Sequence, residues 1–459
     1  MRTAQRIAFF AIVSIALALP AAAQGPAATT DDLVELRQEI ASLRAELEAV
    51  KRVVSEMRRV SPGEGTAVAP DAARPGSGLP PPPQPDPRVE MIANQVAELA
   101  QSKVESTSKF PVKVFGTIHS HAFANSGESN WMDVPNLVQP RPADGRTGTF
   151  SATMRQTRVG FTADGPMVGG ARTSGVLAFD FFAGIPGFQT GQVMGLPRLL
   201  VGFARIATDR VAFQAGQDHV ILAPRDPSSL AALAFPLLFR SGNLYLRAPQ
   251  ARFEAAFTPQ LRLTTGLLAP VGGDLTGEDY RFVPPALGGE RSRHPAVQAH
   301  LGYASDAAAD AARRIAIGVS GHFGRERRAG RRDESWAGAV DFAARRDWIG
   351  IAGEVFAGEN VDAFGGGTGL EPRTAGGWAE VQLFPTAKLA AAAGGGVDRL
   401  RGNLRASPRR RNRTAFANFK YSLTPEIDAG IEYNWLATLP GTGDERRNHH
   451  VDWVMVFRF

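Results

Sequence analysis

The feature that most constrains the fold is a long run of short segments in which apolar and polar residues alternate. The run extends from Val112 to Phe459, and each segment is about ten residues long, the length of a tilted strand that spans a membrane. About sixteen strands are predicted, at 112–124, 150–163, 174–183, 198–207, 210–218, 249–258, 260–269, 296–305, 313–324, 335–345, 348–358, 374–384, 387–399, 413–423, 426–436 and 450–459. The sequence therefore predicts an all-β fold.

The connections between these segments are alternately short and long. The tight turns are TDR (208–210), TPQ (258–260), RRD (345–347), PTA (385–387) and TPE (424–426). The long loops are 125–149, 184–197, 219–248, 270–295, 325–334, 359–373, 400–412 and 437–449. This alternation is typical of a transmembrane up-and-down antiparallel β-barrel with short periplasmic turns and long external loops. A soluble β-sandwich would have to bury one face of every strand and hold all these loops in one domain.

The last strand, VDWVMVFRF, has one almost wholly apolar face. Val451, Trp453, Met455, Phe457 and Phe459 share that face, which is predicted to meet lipid rather than a protein core. The strand is expected to close the barrel against the first strand. Its aromatic end, Trp453, Phe457 and Phe459, resembles the C-terminal signal that the barrel-assembly machinery reads, although simple fraying of an apolar terminus is the alternative.

The N-terminal residues 1–23 have the pattern of a bacterial secretory signal peptide. Arg2 and Arg6 precede the apolar run IAFFAIVSIALAL, and small residues before Gln24 suggest cleavage there. The alternative is a buried N-terminal helix. Export of a barrel in this context predicts the bacterial outer membrane as its location.

Residues 30–60 are predicted to form a coiled coil in the periplasm. Its core positions, spaced alternately by three and four, are Leu33, Leu36, Ile40, Leu43, Leu47, Val50, Val54 and Met57. Acidic residues at position g, such as Glu39, face basic residues at position e, such as Arg44. This favours a parallel homo-oligomer, with dimer and trimer left open, over a single amphipathic helix packed on the barrel or on a partner.

The remaining parts follow in order along the chain. Residues 61–88 are a Pro-rich linker of partly polyproline II character, residues 89–108 a second short helix, and residues 110–459 the barrel. The chain carries a formal net charge of +6 and no cysteine, which excludes disulfides and cysteine-ligated metals. No cofactor, metal site or catalytic triad is predicted, and no nucleic-acid-binding motif is present.

The third long loop, 219–248, is the candidate functional site. It is the longest connection, and its apolar stretch SLAALAFPLLF predicts that it folds inward onto the barrel wall and narrows the pore. Arg225, Arg240 and Arg247 would then lie at the constriction, with Arg252 at the start of the next strand, where arginines attract anions. The structural alternative is that they pair with lumen acids such as Asp180, Asp218 or Glu254.

Three other loops have an unusual composition, two rich in arginine and one rich in glycine. The loops 325–334 and 399–413 are rich in arginine, so they would bind lipopolysaccharide phosphates, steer anions, or be plain solvated charge. The GGGTG stretch (365–369) lacks the lysine of a phosphate-binding loop and is interpreted as a flexible loop tip.

Several short segments resemble those of the DcaP-like outer-membrane porins. They are VAFQAGQDHVILAPRDPSS (211–229), YLRAPQARFEAAF (245–257), MRQTRVGFTADG (154–165) and GEVFAGEN (353–360). The resemblance implies a trimeric channel for small anionic solutes, dicarboxylates among them. Matching positions place Gln217, Arg247, Gln250 and Arg252 near the constriction, and Asp218 joins them as a neighbouring lumen acid.

The sequence thus predicts a passive, non-enzymatic outer-membrane porin with a mild preference for anions. Expected partners are further copies of the chain, outer-membrane lipid and lipopolysaccharide, the barrel-assembly machinery and small anionic solutes. The alternative is a structural anchor whose periplasmic coiled coil tethers the envelope, for example to cell-wall components.

Overall fold

The structure is a computed structural model that describes residues 111–184, 195–270, 286–305, 313–328, 331–367, 373–401 and 409–459. The predicted signal peptide (1–23), coiled coil (30–60), linker (61–88) and second helix (89–108) lie outside the described residues. No helix within the described ranges is long and apolar enough to cross a membrane.

One antiparallel sheet contains all the strands. They are β1 (Val112–Asn125), β2 (Thr149–Thr153), β3 (Arg158–Asp164), β4 (Arg172–Asp180), β5 (Arg198–Ala207), β6 (Val211–His219), β7 (Arg247–Ala256), β8 (Leu261–Leu268), β9 (Ala296–Ala304), β10 (Arg313–Arg328), β11 (Arg331–Arg346), β12 (Ile349–Glu359), β13 (Arg373–Thr386), β14 (Leu389–Arg401), β15 (Arg411–Ser422), β16 (Ile427–Leu439) and β17 (Arg446–Arg458). A short helix, α1 (Gly288–Ser292), and a 3-10 turn, Asp362–Phe364, lie in the connections.

The sheet closes on itself as a sixteen-stranded barrel. Each strand pairs with its neighbours in the chain, and β17 pairs with β1, where Thr117 lies opposite Arg458. Both β2 and β3 pair with β1, so they are two parts of one barrel strand interrupted at residues 154–157. The predicted fold class and strand number of the barrel are confirmed.

The short turns lie at one end of the barrel and are built by a repeated threonine motif. The hydroxyls of Thr208, Thr258 and Thr424 each accept a hydrogen bond from the backbone N–H three residues later, at 3.0–3.1 Å. A side-chain acceptor at the first turn position stabilises a tight reversal. The termini of the barrel, Val112 and Phe459, lie at this same end.

The two faces of the wall differ as the alternation predicts. On β17, Trp453, Met455 and Phe457 are 47%, 55% and 40% exposed on the outer surface, whereas Val454 and Val456 between them are buried inside. A lipid-facing surface needs no protein layer to cover its apolar side chains, so exposure of such a band is expected in a membrane barrel.

The segment 325–334 was expected to be a long external loop, and this prediction is wrong. The ladder between β10 and β11 continues outward until Arg328 lies opposite Arg331. Strand pairing continues past the apolar band because charged side chains tolerate the strand conformation where they meet water. The loop boundaries at 400–412 and 437–449 also shrink, since β15 begins at Arg411 and β16 ends at Leu439.

Candidate functional site

The third external loop, here residues 220–246, folds into the lumen, as its apolar composition predicts. Leu237 and Leu238 are buried against Trp378 and Phe416 of the inner wall. On another side, Ala231 is buried against Val454 and Val456 of the last strand. Burial of these side chains removes apolar surface from water and holds the loop inside the barrel.

Side chains of the wall bind the backbone of this loop. Gln156 is 0% exposed and makes three hydrogen bonds to it: its amide nitrogen donates to the Ala231 carbonyl (2.6 Å), and its oxygen accepts from the N–H groups of Leu233 and Ala234 (both 2.8 Å). The break between β2 and β3 explains this position, because it turns both Arg155 and Gln156 toward the interior. The MRQTR segment that contributes to the family resemblance is thus an anchor for the loop.

Acidic side chains of the wall hold the first half of the loop. The Arg225 guanidinium donates to Asp341 at 2.7 Å, while its backbone N–H donates to Glu354 at 2.7 Å. Ser228 bonds Glu380 through its N–H (2.9 Å) and its hydroxyl (3.0 Å). Gln298, from β9, accepts from the N–H groups of Ile221 and Leu222 at 2.7 and 2.9 Å. This third external loop, residues 220–246, is called the constriction loop below. It is therefore bound to the wall around much of the barrel.

Replacing Gln156 by alanine should loosen this loop. Three backbone groups would lose their partners in a buried site, and we expect the free energy of unfolding to fall by about 3 kcal/mol. Urea titration of the protein in lipid vesicles measures that change, and single-channel recording should show noisier current. Gln214→Ala is the matched control, because Gln214 is a buried inner-wall glutamine that bonds Asp218 rather than the loop. Equal effects of the two variants would contradict the anchoring role of Gln156.

Two other external loops support the constriction loop. Asn136 of the first loop accepts through its carbonyl from Asn412 at 2.8 Å, and Asp133 of the same loop forms a short ion pair with Arg155. In the sixth loop, Phe364 is fully buried and its carbonyl accepts from the Tyr245 N–H at 2.9 Å. The first, third and sixth external loops thus pack together inside the mouth of the barrel.

The glycine stretch at 365–367 is part of this assembly, so its interpretation as a flexible loop tip is wrong. A Cβ on Gly365 would lie 2.5 Å from the Phe239 ring, and one on Gly366 would lie 2.7 Å from the Leu244 side chain. Gly365 also has a φ of +87°, which glycine adopts easily. The glycines are needed because the two loops approach so closely.

Arg409 shows that the arginine-rich segment 399–413 is not all solvated charge. Its buried guanidinium pairs with Asp398 at 2.8 Å and donates to the carbonyls of Gly365 and Arg240 at 3.0 and 3.3 Å. Burial lowers the pKa of Arg409, and the nearby Asp398 and Asp362 carboxylates oppose this. It therefore joins the third and sixth loops.

Three arginines from neighbouring parts of the wall meet beside the constriction loop: Arg158 on β3, Arg198 on β5 and Arg247 on β7. They are here called the arginine cluster. Arg198 is paired with Asp180 through two hydrogen bonds of 3.0 and 2.6 Å. Arg158 and Arg247 make no ion pair with any described residue, although the Arg158 guanidinium donates to the Leu233 carbonyl of the loop. The buried Nε atom of each has no hydrogen-bond partner. Two unneutralised guanidinium groups therefore lie side by side in the lumen.

Tyr245 and Asp226 of the loop face this cluster. Burial raises the pKa of the Tyr245 phenol, and the charges of Arg247, Arg198 and Arg158 oppose the rise. Burial also raises the pKa of the Asp226 carboxyl, opposed by a hydrogen bond from Asn243 at 3.2 Å and by the charges of Arg247 and Arg158. The site thus combines positive charge, a phenol and one acid.

The seven predicted constriction residues fall into separate places. Arg225 is bound to Asp341 and serves as an anchor. Arg240 donates to Asn136 at 3.2 Å and lies over the rings of Phe239 and Trp131. Arg225 therefore pairs with an acidic residue of the wall, as the structural alternative proposed, whereas Arg240 contacts an amide and two aromatic rings of the loops.

Three of the predicted constriction residues on β6 and β7 lie close to one another: Asp218, Gln250 and Arg252. Arg252 lies 3.4 Å from Asp218, and the Gln250 amide donates to the carbonyls of Asp218 and His219 at 3.0 and 2.8 Å. Gln217 lies apart from them, because its amide donates to backbone carbonyls of Leu199 and Leu200 on β5. Only Arg247 of the predicted set joins the arginine cluster.

Arg158 and Arg198 are the residues that sequence reasoning missed. Arg158 lies within the MRQTR segment that was singled out, so its place there was a usable signal. Arg198 begins β5 directly after a long loop, where the sequence resembles many other strand starts. A cavity of about 220 Å³ is lined by His219, Asp226, Tyr245, Arg252, Thr264 and His300 among others. It shares Asp226 and Tyr245 with the surroundings of the arginine cluster, and Arg252 is the arginine that lines it.

No protein-family model matches the sequence, and no curated protein sequence matches it. Solved structures do match. The outer membrane channel DcaP of Acinetobacter baumannii has a TM-score of 0.60 and 17% sequence identity, over 77% of this chain and 99% of that chain. An anion-selective porin from Comamonas acidovorans has a TM-score of 0.51 and 10% identity, over 76% and 100% of the two chains.

A third match is OprB of Pseudomonas putida, with a TM-score of 0.51 and 9% identity over 79% of this chain and 97% of that chain. At these identities the matches establish the fold alone. They agree with the resemblance that the short sequence segments indicated. The barrel of this chain has the fold of the outer-membrane porins and is structurally similar to the DcaP channel.

Proposed function

We propose that this chain is a passive porin of the bacterial outer membrane, through which small hydrophilic solutes diffuse with a preference for anions. The observation that carries the proposal is the pair of unneutralised guanidinium groups, Arg158 and Arg247, beside a loop that narrows the lumen. Fixed positive charge at a narrow point lowers the energy of a passing anion and raises that of a cation. The protein does no chemistry in this proposal.

Small carboxylates, including dicarboxylates, are the proposed preferred solutes. A guanidinium presents its N–H groups in a planar fork that matches a carboxylate. Two adjacent guanidinium groups suit a solute with two carboxylates. The anion-selective Comamonas acidovorans porin, similar in fold, is consistent with this preference.

Liposome swelling tests the proposal. Proteoliposomes should swell faster in succinate than in a neutral solute of similar size, whereas liposomes without protein should not swell in either. If the proteoliposomes swell in neither solute, the barrel is closed and the envelope-anchor alternative is favoured.

The predicted coiled coil carries a separate proposal, that residues 30–60 hold barrels together as a homo-oligomer, with a trimer favoured by the family resemblance. Removal of residues 24–88 from the mature chain is expected to lower the apparent mass in detergent, measured by light scattering, while each barrel keeps its conductance. An unchanged mass would contradict a role for this segment in assembly.

The preference for anions should increase as the pH falls. Since burial raises the pKa of Asp226, this carboxyl takes up a proton at a higher pH than its ordinary value of 3.8. Its protonation removes a negative charge near Arg158 and Arg247, so the constriction becomes more positive. Reversal potentials in a salt gradient measured from neutral to acidic pH should show this shift. The Asp226→Asn variant should begin at the more anion-selective value and show a smaller shift.

A further inference from the structure

Six arginines lie on the outer surface of the barrel, at the long-loop ends of four strands, β13, β14, β15 and β17. The rim arginines, as they are called below, are Arg373, Arg399, Arg401, Arg411, Arg413 and Arg447. Alternation along each strand places them on the same face as outward residues such as Val381, Val397, Phe419 and Trp453. They therefore continue the lipid-facing surface toward the cell exterior.

The strand register brings these like charges next to one another. Arg399 lies directly opposite Arg411, and Arg401 lies directly opposite Arg373. Arg413 and Arg447 lie opposite the same residue, Ala437, on its two sides. Like charges directly opposite on neighbouring strands destabilise a sheet unless an anion lies between them.

Acidic side chains of the barrel neutralise only part of this charge. Glu445 lies 3.0, 2.8 and 3.5 Å from Arg411, Arg413 and Arg447, so one carboxylate serves three guanidinium groups. Glu359 lies 3.3 Å from Arg373.

Two rim arginines are left without such a partner. Arg399 and Arg401 make no ion pair with a described residue. The buried Nε atoms of Arg411 and Arg413 also have no hydrogen-bond partner in the described part of the chain. Positive charge that the acidic residues do not neutralise therefore remains at this rim.

Aromatic residues mark the depth of the rim arginines. The Arg413 guanidinium lies 5.0 Å from the centre of the Trp435 ring, and the Tyr433 hydroxyl lies 2.7 Å from His449 Nδ1 on the same outer face. Tryptophan and tyrosine concentrate at the level of lipid headgroups. The rim arginines lie just beyond that level, where the phosphates of an outer leaflet are found.

We propose that the rim arginines bind the phosphates of phosphorylated lipids of the lipid A class in the outer leaflet. Guanidinium groups bind phosphate oxygens through paired hydrogen bonds, and a lipid phosphate between Arg399 and Arg411 relieves their repulsion. The proposal rests on the outer-membrane location given above and is independent of what the pore transports.

Lipid binding to the purified full-length protein in detergent tests this, with a variant that combines Arg399→Gln, Arg411→Gln and Arg413→Gln. Bisphosphorylated lipid A should bind the variant roughly 100-fold more weakly than the unchanged protein, since each arginine near an anionic surface contributes roughly a fivefold change in affinity. The matched control combines Arg210→Gln, Arg346→Gln and Lys388→Gln, exposed cations at the short-turn end, and should bind normally.

Further measurements distinguish a lipid phosphate from free phosphate and from a contact with a second copy of the chain. Dephosphorylated lipid A should bind the unchanged protein and the variant equally weakly, and inorganic pyrophosphate should bind far more weakly than lipid A. Equal binding of lipid A by the triple variant, or pyrophosphate binding as tight as lipid A, would overturn the proposal. So would an altered oligomeric state with unaltered lipid binding, since the rim would then be a contact between copies.

Channel conductance and heat-dependent gel mobility of the same samples complete the test. Conductance without phosphate-dependent lipid binding would overturn this inference and leave the channel function standing. Lipid binding without conductance would support this inference and contradict the channel function. A variant whose gel mobility shows an unfolded barrel is replaced by the triple Arg→Lys variant, which keeps the charge and should lose only the paired hydrogen bonds, with a smaller loss of affinity. Affinity equal to that of the unchanged protein would then overturn the role of paired bonds.

Discussion

Replacing Arg158 and Arg247 together by glutamate is expected to turn an anion-preferring channel into a cation-preferring one. Neither guanidinium makes an ion pair with a described residue, so both contribute positive charge where an ion passes. The ratio of anion to cation permeability should fall by roughly tenfold or more, since a unit charge at close range shifts the energy of an ion by about 1 kcal/mol even in water. Reversal potentials across a planar bilayer in a salt gradient measure this ratio.

The matched controls separate charge from structure. Arg158→Gln with Arg247→Gln should remove the preference without reversing it. Arg210→Glu with Lys388→Glu changes the net charge equally at exposed positions of the short-turn end, and should leave the permeability ratio nearly unchanged. If the control pair shifts the ratio as much as the cluster pair, selectivity comes from the overall field of the protein and not from the arginine cluster.

Deletion of Phe459 is the second change with a large expected effect, and it should act on assembly. The backbone of Phe459 completes the seam: its carbonyl accepts from the Gly116 N–H at 2.9 Å, and its N–H donates to the Gly116 carbonyl at 3.2 Å. Its ring lies over Gly116, where a Cβ would be 2.6 Å from the ring carbon Cζ. An aromatic ring that covers a glycine in the next strand stabilises a sheet at such a point.

The amount of folded protein in outer-membrane fractions should fall at least roughly tenfold in this variant, because about two backbone hydrogen bonds and a ring contact are lost at the only closing seam. Any barrel that does assemble should keep the conductance of the unchanged protein. Phe419→Ala is the control, since Phe419 is an equally lipid-exposed aromatic residue on β15, away from the seam. Normal levels after deletion of Phe459 would remove its proposed role as an assembly signal.

The barrel itself could be predicted because each strand is a local pattern. Alternation along β17 and threonine turns such as the one at Thr208 depend on residues close in the chain, so the strand number and the closure of β17 on β1 follow from the sequence. The wrong prediction at 325–334 has the same origin. An arginine-rich segment resembles a loop in sequence, whereas a strand that extends into water carries arginine as easily as a loop does.

The constriction could be predicted only in part, because its partners are distant in the chain. Apolar composition predicted that the third loop turns inward, and this is confirmed. Which arginines remain unpaired depends on contacts such as Arg225 with Asp341, which are separated by more than a hundred residues, and no local pattern indicates them. The buried role of Arg409 was hidden for the same reason, inside a run of arginines that looked uniformly solvated.

The central claim, an open pore with an anion-preferring constriction, is tested most directly by single-channel recording of the unchanged protein in a planar bilayer with a gradient of potassium chloride. The expected result is a stable ohmic conductance with a reversal potential shifted from zero toward the chloride equilibrium potential. A protein that inserts but opens no ohmic pore would contradict the claim, as would a reversal potential shifted toward the potassium equilibrium potential.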